Sequence, residues 1–169
     1  RKFPKHVKRI SEEKGRAVTL LDYGCGKGNM PWRPFESYTN GLWGHLPTQI
    51  QSIYLYDPCW PPFAAKPPQG WQFDVVGCAD VMEHIPEEDV DTVLADIASF
   101  CKEDGVVMLA ISGNPAVKAF TDGENLHCTI RSMDWWKEKI EAICKRNYVL
   151  VHTEDTREPR VDTLIGKRK

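Results

Sequence analysis

The sequence predicts a single α/β domain, and three observations carry that prediction. The apolar run Val18-Thr19-Leu20-Leu21-Asp22-Tyr23 stops at an acid and runs into a glycine-rich turn, Gly24-Cys25-Gly26-Lys27-Gly28. A buried strand that ends in a ligand crevice reads this way. Further strand-like runs, at 52–56, 73–78 and 106–111, are separated by loops and helical patterns rather than by tight hairpin turns. That alternation is the signature of a parallel sheet. Finally, 169 residues can bury a real core but leave no room for a separate recognition domain.

Taken in order, Phe3, Val7 and Ile10 fall at helical spacing, with Pro4 suited to a first turn and Gly15 to an end. This predicts a helix over 4–14. A strand follows over 17–23. Pro31 and Pro34 then interrupt the helix that ordinarily follows such a turn. The segment 29–50 carries Trp32, Phe35, Tyr38, Leu42, Trp43 and His45 among polar residues. Ser52 to Tyr56 is the second strand, ending at Asp57-Pro58. Five prolines, Pro58, Pro61, Pro62, Pro67 and Pro68, mark 58–70 as loop and leave a third strand short or missing.

Phe73 to Cys78 is the next strand. A helix over 87–102 puts Val90, Val93, Leu94, Ile97, Ala98 and Cys101 on one face. Glu103-Asp104-Gly105 reads as a turn, and Val106 to Ile111 as a strand buried on both sides. Residues 112–131 are a polar loop. Ser132 caps a helix reaching Arg146, whose stripe includes Trp135, Trp136, Ile140 and Ile143. Of the adjacent tryptophans, one is expected in the core and the other at the wall of a pocket. The last strands, 148–153 and 161–166, are joined by a charged loop, as in a closing antiparallel hairpin.

Two motifs give the pattern a family. D-x-G-x-G-x-G, here Asp22 to Gly28, resembles motif I of the class I S-adenosylmethionine-dependent methyltransferases. Ala79-Asp80-Val81-Met82-Glu83-His84-Ile85-Pro86 is similar to the D-V-L-E-H-I-P box that follows the fourth strand in small-molecule members. The resemblance spans roughly 17–166. It implies a Rossmann-like sheet with helices on both faces and an antiparallel C-terminal hairpin. The N-terminal helix, 1–16, precedes this core as a packing element or a flap beside the cofactor.

The resemblance also implies S-adenosylmethionine as cofactor. Asp22, Gly24, Cys25, Gly26, Gly28, Asp57, Pro58, Ala79, Asp80 and Val81 are then its binding residues. Asp57 stands where nucleotide-binding α/β folds place an acid on the ribose hydroxyls. The dinucleotide fingerprint G-x-G-x-x-G is broken at Asn29, which disfavours a nicotinamide cofactor.

Methyl transfer is an in-line displacement, so few catalytic groups are needed beyond a shaped, dry pocket. His84, after the fourth-strand motif, is the expected base, since its ordinary pKa is near 6.5. His127, in the loop 112–131, is the second catalytic candidate, while Glu83 reads as structural. The segments 29–50 and 112–131 are expected to roof the acceptor pocket.

Net charge is -2, which gives no global pull toward nucleic acid or membrane, although Arg1, Lys2, Lys5, Lys8, Arg9 and Lys167 to Lys169 crowd the ends. The six cysteines form no C-x-x-C pair, so neither a disulfide frame nor a bound metal is expected. With no apolar membrane-length run, the expected setting is cytoplasmic. The expected reaction moves a methyl group to an oxygen or nitrogen of a small-molecule acceptor. A nucleic-acid or protein methyltransferase and a non-catalytic cofactor-binding module are the alternatives.

Overall fold

The computed structural model describes residues 3–28, 48–153 and 163–166, with backbone alone for 153 and 163–166. Helix α1 spans Phe3–Lys14, α2 Val90–Ser99 and α3 Met133–Ile143. Strands β1 to β6 are Val18–Tyr23, Ile50–Tyr56, Phe73–Ala79, Cys101–Ser112, Asn147–Thr153 and Thr163–Gly166. Their order in the sheet is β2-β1-β3-β4-β5-β6. The pairs from β2 through β5 are all parallel.

The expected fold class needs one correction. The fold rests on a five-stranded, all-parallel, Rossmann-like sheet, not on a sheet closed by an antiparallel hairpin. Strand β5 lies directly on β4 in parallel register, from Val106 opposite Asn147 to Ser112 opposite Thr153. The parallel crossover through α3 joins β4 to β5, so antiparallel pairing enters only at the edge of the sheet, between β5 and β6. Strand β6 is a four-residue edge piece registered antiparallel on β5, and residues 154–162 lie outside the described residues. The run 148–152 is buried throughout, and such a run reads the same for a parallel as for an antiparallel neighbour, which is why its pairing on β4 was not separated by pattern.

Successive side chains point to opposite faces of a strand. Leu20, Val75, Met108 and Val149 accordingly face α1, whose Phe3, Val7 and Ile10 are buried with them. Leu21, Val76, Leu109 and Leu150 face α2 and α3, through Leu94, Ile97, Trp136 and Ile140. No strand lies between β2 and β3 in the chain, and β2 is a sheet edge among the described residues. The prolines of 58–70 account for this, since proline removes a ladder donor.

Residues 103–105, expected as a turn, form an outward excursion of β4: Phe73 is opposite Cys101 but Val75 is opposite Val106. At this amino-terminal edge Asp74 is fully buried. Its carboxylate accepts from Arg16 (2.6 and 2.9 Å), from the Thr19 amide (2.9 Å) and hydroxyl (3.0 Å), and from Lys102 (3.1 Å). Burial alone would raise its pKa. The Arg16, Thr19 and Lys102 hydrogen bonds win and hold the carboxyl well below its ordinary range.

Among the described residues no helix is long and apolar enough to cross a membrane.

Candidate functional site

The opposite, carboxyl-terminal edge gathers the motifs. Strands β1, β2 and β3 run in one direction and end together, with Tyr23 opposite Tyr56 and Asp22 opposite Gly77. The glycine turn then folds over the end of β2. The amides of Gly24 and Cys25 both donate to Tyr56 O (2.8 and 3.1 Å), and Gly28 donates to Cys25 O (3.0 Å). The left-handed φ values of Gly24 (75°) and Gly26 (55°) show why glycine stands there.

The two glycines differ in what lies beside them. A Cβ on Gly24 would come within 2.4 Å of Val81 Cγ2, so Gly24 brings the turn against the D-V-M-E-H segment. Among the described residues a Cβ on Gly26 would meet no atom within 4 Å, so there Gly26 borders open space.

Asp57 ties this turn to the next loop. Its Oδ2 accepts from the Gly26 amide (2.7 Å) and its Oδ1 from the Cys59 amide (2.8 Å). A carboxylate offers about four lone-pair positions, so two remain for a diol. Lys27 reinforces the tie over the Trp60 ring, 5.3 Å from its centroid. Pro58 is exposed on the same loop, and Asp22 is buried at the end of β1. Burial, with Asp22 and Asp57 nearby, pushes the Cys25 thiol up to about 12, so it is no nucleophile at neutral pH. What Cys25 supplies to the turn is backbone.

Beyond Ala79, Asp80 is held at φ 58° while its amide donates to Ala110 O (2.9 Å). A left-handed aspartate is an outlier of the kind that collects at ligand sites. Residues Met82–His84 then form a 3-10 turn with Met82 and Glu83 buried. Glu83 Oε1 accepts from the Ser112 amide (3.1 Å), bracing this turn against the end of β4. Glu83 Oε2 is buried without a hydrogen-bond partner among the described residues. Burial raises the Glu83 pKa above its ordinary value, opposed by hydrogen bonds from its own backbone and the Ser112 amide.

The loop after β4 returns to the same place. Asn125 organises it: its Oδ1 accepts from the Ala116 (2.9 Å) and His127 (2.9 Å) amides, and its Nδ2 donates to Ala116 O (3.0 Å). Thr129 fastens the returning chain, donating from its amide to Glu83 O (3.0 Å) and from its hydroxyl to Ile85 O (2.7 Å). His127 thereby meets His84 edge to face, with ring centroids 4.8 Å apart. His84 Nδ1 lies 2.8 Å from Leu126 O, and His127 Nδ1 bonds Asn114 O. A carbonyl oxygen only accepts, so each Nδ1 donates, and in the neutral ring the lone pair falls on Nε2.

The structure thus brings the glycine turn to Asp57, Val81 to Gly24, and His127 to His84. The other half of the expected roof, residues 29–47, lies outside the described residues. Trp136 is core, as one of the two tryptophans was expected to be. The Trp135 ring is instead covered by Lys139 (5.4 Å) and Arg131 (5.9 Å). Sequence reasoning undervalued Glu83 and missed Asn125 and Thr129. Asn125 two residues before His127 was the available signal, since Asn side chains bond their own backbone two residues on.

A parallel sheet whose strand ends carry a glycine turn, a strand-end acid and open space beside a bare glycine defines a nucleotide-cofactor-binding enzyme fold. Residues 1–148 match the methyltransferase domain family, and the chain belongs to that family. It is a methyltransferase with S-adenosylmethionine as methyl donor. No curated protein matches the chain. The residues fit that donor: the space beside Gly26 admits a ligand where a side chain would stand, and Asp57 keeps acceptor capacity for ribose hydroxyls.

Proposed function

We propose that this methyltransferase acts on an oxygen or nitrogen of a small-molecule acceptor, held between His84, His127 and the loop 112–131. The observation that carries this reading is the histidine pair, each ring turned by its carbonyl partner so that Nε2 keeps its lone pair. S-adenosylmethionine, when bound, supplies an electrophilic methyl group. Asp22, Gly24, Cys25, Gly26, Gly28, Asp57, Pro58, Ala79, Asp80 and Val81 are proposed to hold it. Gly26 leaves it space, and Asp57 receives hydroxyl hydrogen bonds. His84 takes the proton of the acceptor at Nε2, and His127 orients the polar end of the acceptor. A base matters here only if the acceptor's nucleophile carries a proton. The net charge of -2 supports a small acceptor over a nucleic acid. A cytoplasmic setting belongs to the same proposal.

Transfer of labelled methyl groups to pooled small hydroxyl and amine acceptors, to RNA and to protein tests it. Small-acceptor labelling that falls in His84→Ala and His127→Ala, with cofactor affinity almost unchanged, is expected. Labelling confined to RNA or protein, or full turnover in both variants, refutes it. Cofactor binding with no transfer to any pool marks a non-catalytic binding module.

A further inference from the structure

Glu83, His84 and His127 form a third arrangement that the transfer reaction alone does not require. One ligand-type atom from each lies within 4.8 Å of the others. Glu83 is 1% exposed, and its Oε2 is buried with no hydrogen-bond partner among the described residues. An unpartnered carboxylate oxygen in the interior is costly unless a donor or cation completes it. Both imidazoles are presented as metal ligands ordinarily are, with Nδ1–H donating to a backbone carbonyl, Leu126 O or Asn114 O, and Nε2 free to coordinate. Glu83 is fixed by Ser112, whereas His84 is exposed and His127 half-buried. Ligands around a tetrahedral ion with bonds of about 2.1 Å stand roughly 3.4 Å apart. Drawing in from 4.8 Å to that spacing is the movement that binding would require.

We propose that Glu83, His84 and His127 bind a divalent first-row transition cation, with open positions that take an oxygen or nitrogen of the acceptor. Two imidazoles and one carboxylate suit zinc, cobalt, iron or manganese better than magnesium or calcium, which prefer oxygen ligands. Three protein ligands also leave coordination positions open, as catalytic sites do. This deepens the proposed function, on whose acceptor pocket the role of the open positions rests; with a cation bound, His84 Nε2 is a ligand rather than the base, and the acceptor's proton, made more acidic by the cation, leaves to water. The cation itself is measurable without turnover.

The test uses the full chain after chelator treatment, titrated with Co2+ by visible absorbance and with Zn2+ by competition. One saturable Co2+ per chain is expected, with ligand-field bands and no thiolate charge-transfer absorption. Glu83→Gln, which keeps the shape that accepts from Ser112, should weaken binding by more than the roughly 10–100-fold of a lost outer-shell partner. His84→Ala and His127→Ala should do the same. Unchanged melting and cofactor binding in the three variants confirm that they fold. Exposed Cys59 and Cys128 are the competing soft ligands, and Cys59→Ser with Cys128→Ser should leave binding intact. No saturable Co2+ site, binding kept in Glu83→Gln with His127→Ala, or loss in the cysteine variant overturns the cation site. Methyl transfer by a chain that binds no cation overturns the cation site alone. A bound cation without methyl transfer to any acceptor overturns the proposed function alone.

Discussion

Gly24 and Gly26 stand two residues apart, both at left-handed φ, yet alanine should fail at them for different reasons. At Gly24 the new methyl would lie 2.4 Å from Val81 Cγ2, 3.1 Å from Cγ1 and 3.3 Å from Cβ. Valine is stiff about χ1 and has no flexible end to swing away. The left-handed conformation costs about 1–2 kcal/mol with a Cβ, and overpacking adds about 1–3 kcal/mol. At roughly 2–4 °C per kcal/mol for a chain of this size, melting should fall by about 10 °C. At Gly26 the methyl meets nothing within 4 Å among the described residues, so only the conformational cost applies, a few degrees at about 2–4 °C per kcal/mol. That methyl instead occupies the space proposed for the cofactor. If the crowding there costs about 1–3 kcal/mol, affinity falls about 5- to 150-fold. Differential scanning calorimetry and titration calorimetry with S-adenosylhomocysteine should therefore rank the two variants in opposite orders. Wild-type affinity in Gly26→Ala would show that the open space is not the cofactor's. The same ranking in both assays would mean that one loop distortion explains everything.

Asp57→Ala should weaken cofactor binding by about 1–3 kcal/mol, since it removes a charged acceptor and also frees the Gly26 and Cys59 amides; unchanged titration isotherms would contradict this. Asp74→Asn should cost about 3 kcal/mol of stability in urea unfolding at neutral pH, the low end for a broken buried pair, because Arg16 and Lys102 still reach water. The folded pKa of Asp74 lies below its unfolded value, so its stabilisation is complete above about pH 4 and is lost as pH falls toward the folded value. The acid limb of the stability curve should accordingly flatten in Asp74→Asn, and an unchanged limb would remove Asp74 from the account. Gly105→Ala should cost about 1–3 kcal/mol by overpacking, because its Cβ would meet Cys101 Sγ at 2.8 Å and the carbonyls of Lys102 and Asp74 at 2.9 and 3.0 Å. A melting temperature equal to wild type would show that the excursion of β4 gives way.

What the sequence made legible follows from how local each cause is. Strand β1 and its turn were readable because burial and left-handed φ leave their mark on consecutive residues, Leu20-Leu21 and the glycines. Helix α3 was readable from its cap, where Ser132 accepts from the Trp135 amide. The helix expected over 87–102 is shorter: residues Glu87–Asp89 form a 3-10 turn and α2 ends at Ser99, because Cys101 already pairs with Phe73. The parallel pairing of β5 on β4 was not readable, since sheet order depends on a crossover that no single segment encodes. In the site, His84 announced itself through its motif. His127 was named from its polar loop, but the Asn125 and Thr129 bonds that bring it to His84 were not legible, and Glu83 gains weight only when Ser112 arrives from 29 residues on.

The Asn125 clasp has a consequence for how this chain could diversify. Its bonds to Ala116 close a small ring of chain, within which Phe120 pairs with Glu124 and Ala119 bridges Asn125. Val117 and Phe120 stand exposed at its tip. The segment distal to the clasp reaches His127 only through Asn125, on whose near side the histidine hangs. Residues 117–124 are thus a cassette: lengthening or retyping them would redraw what the outer surface greets while the histidine keeps its bearing.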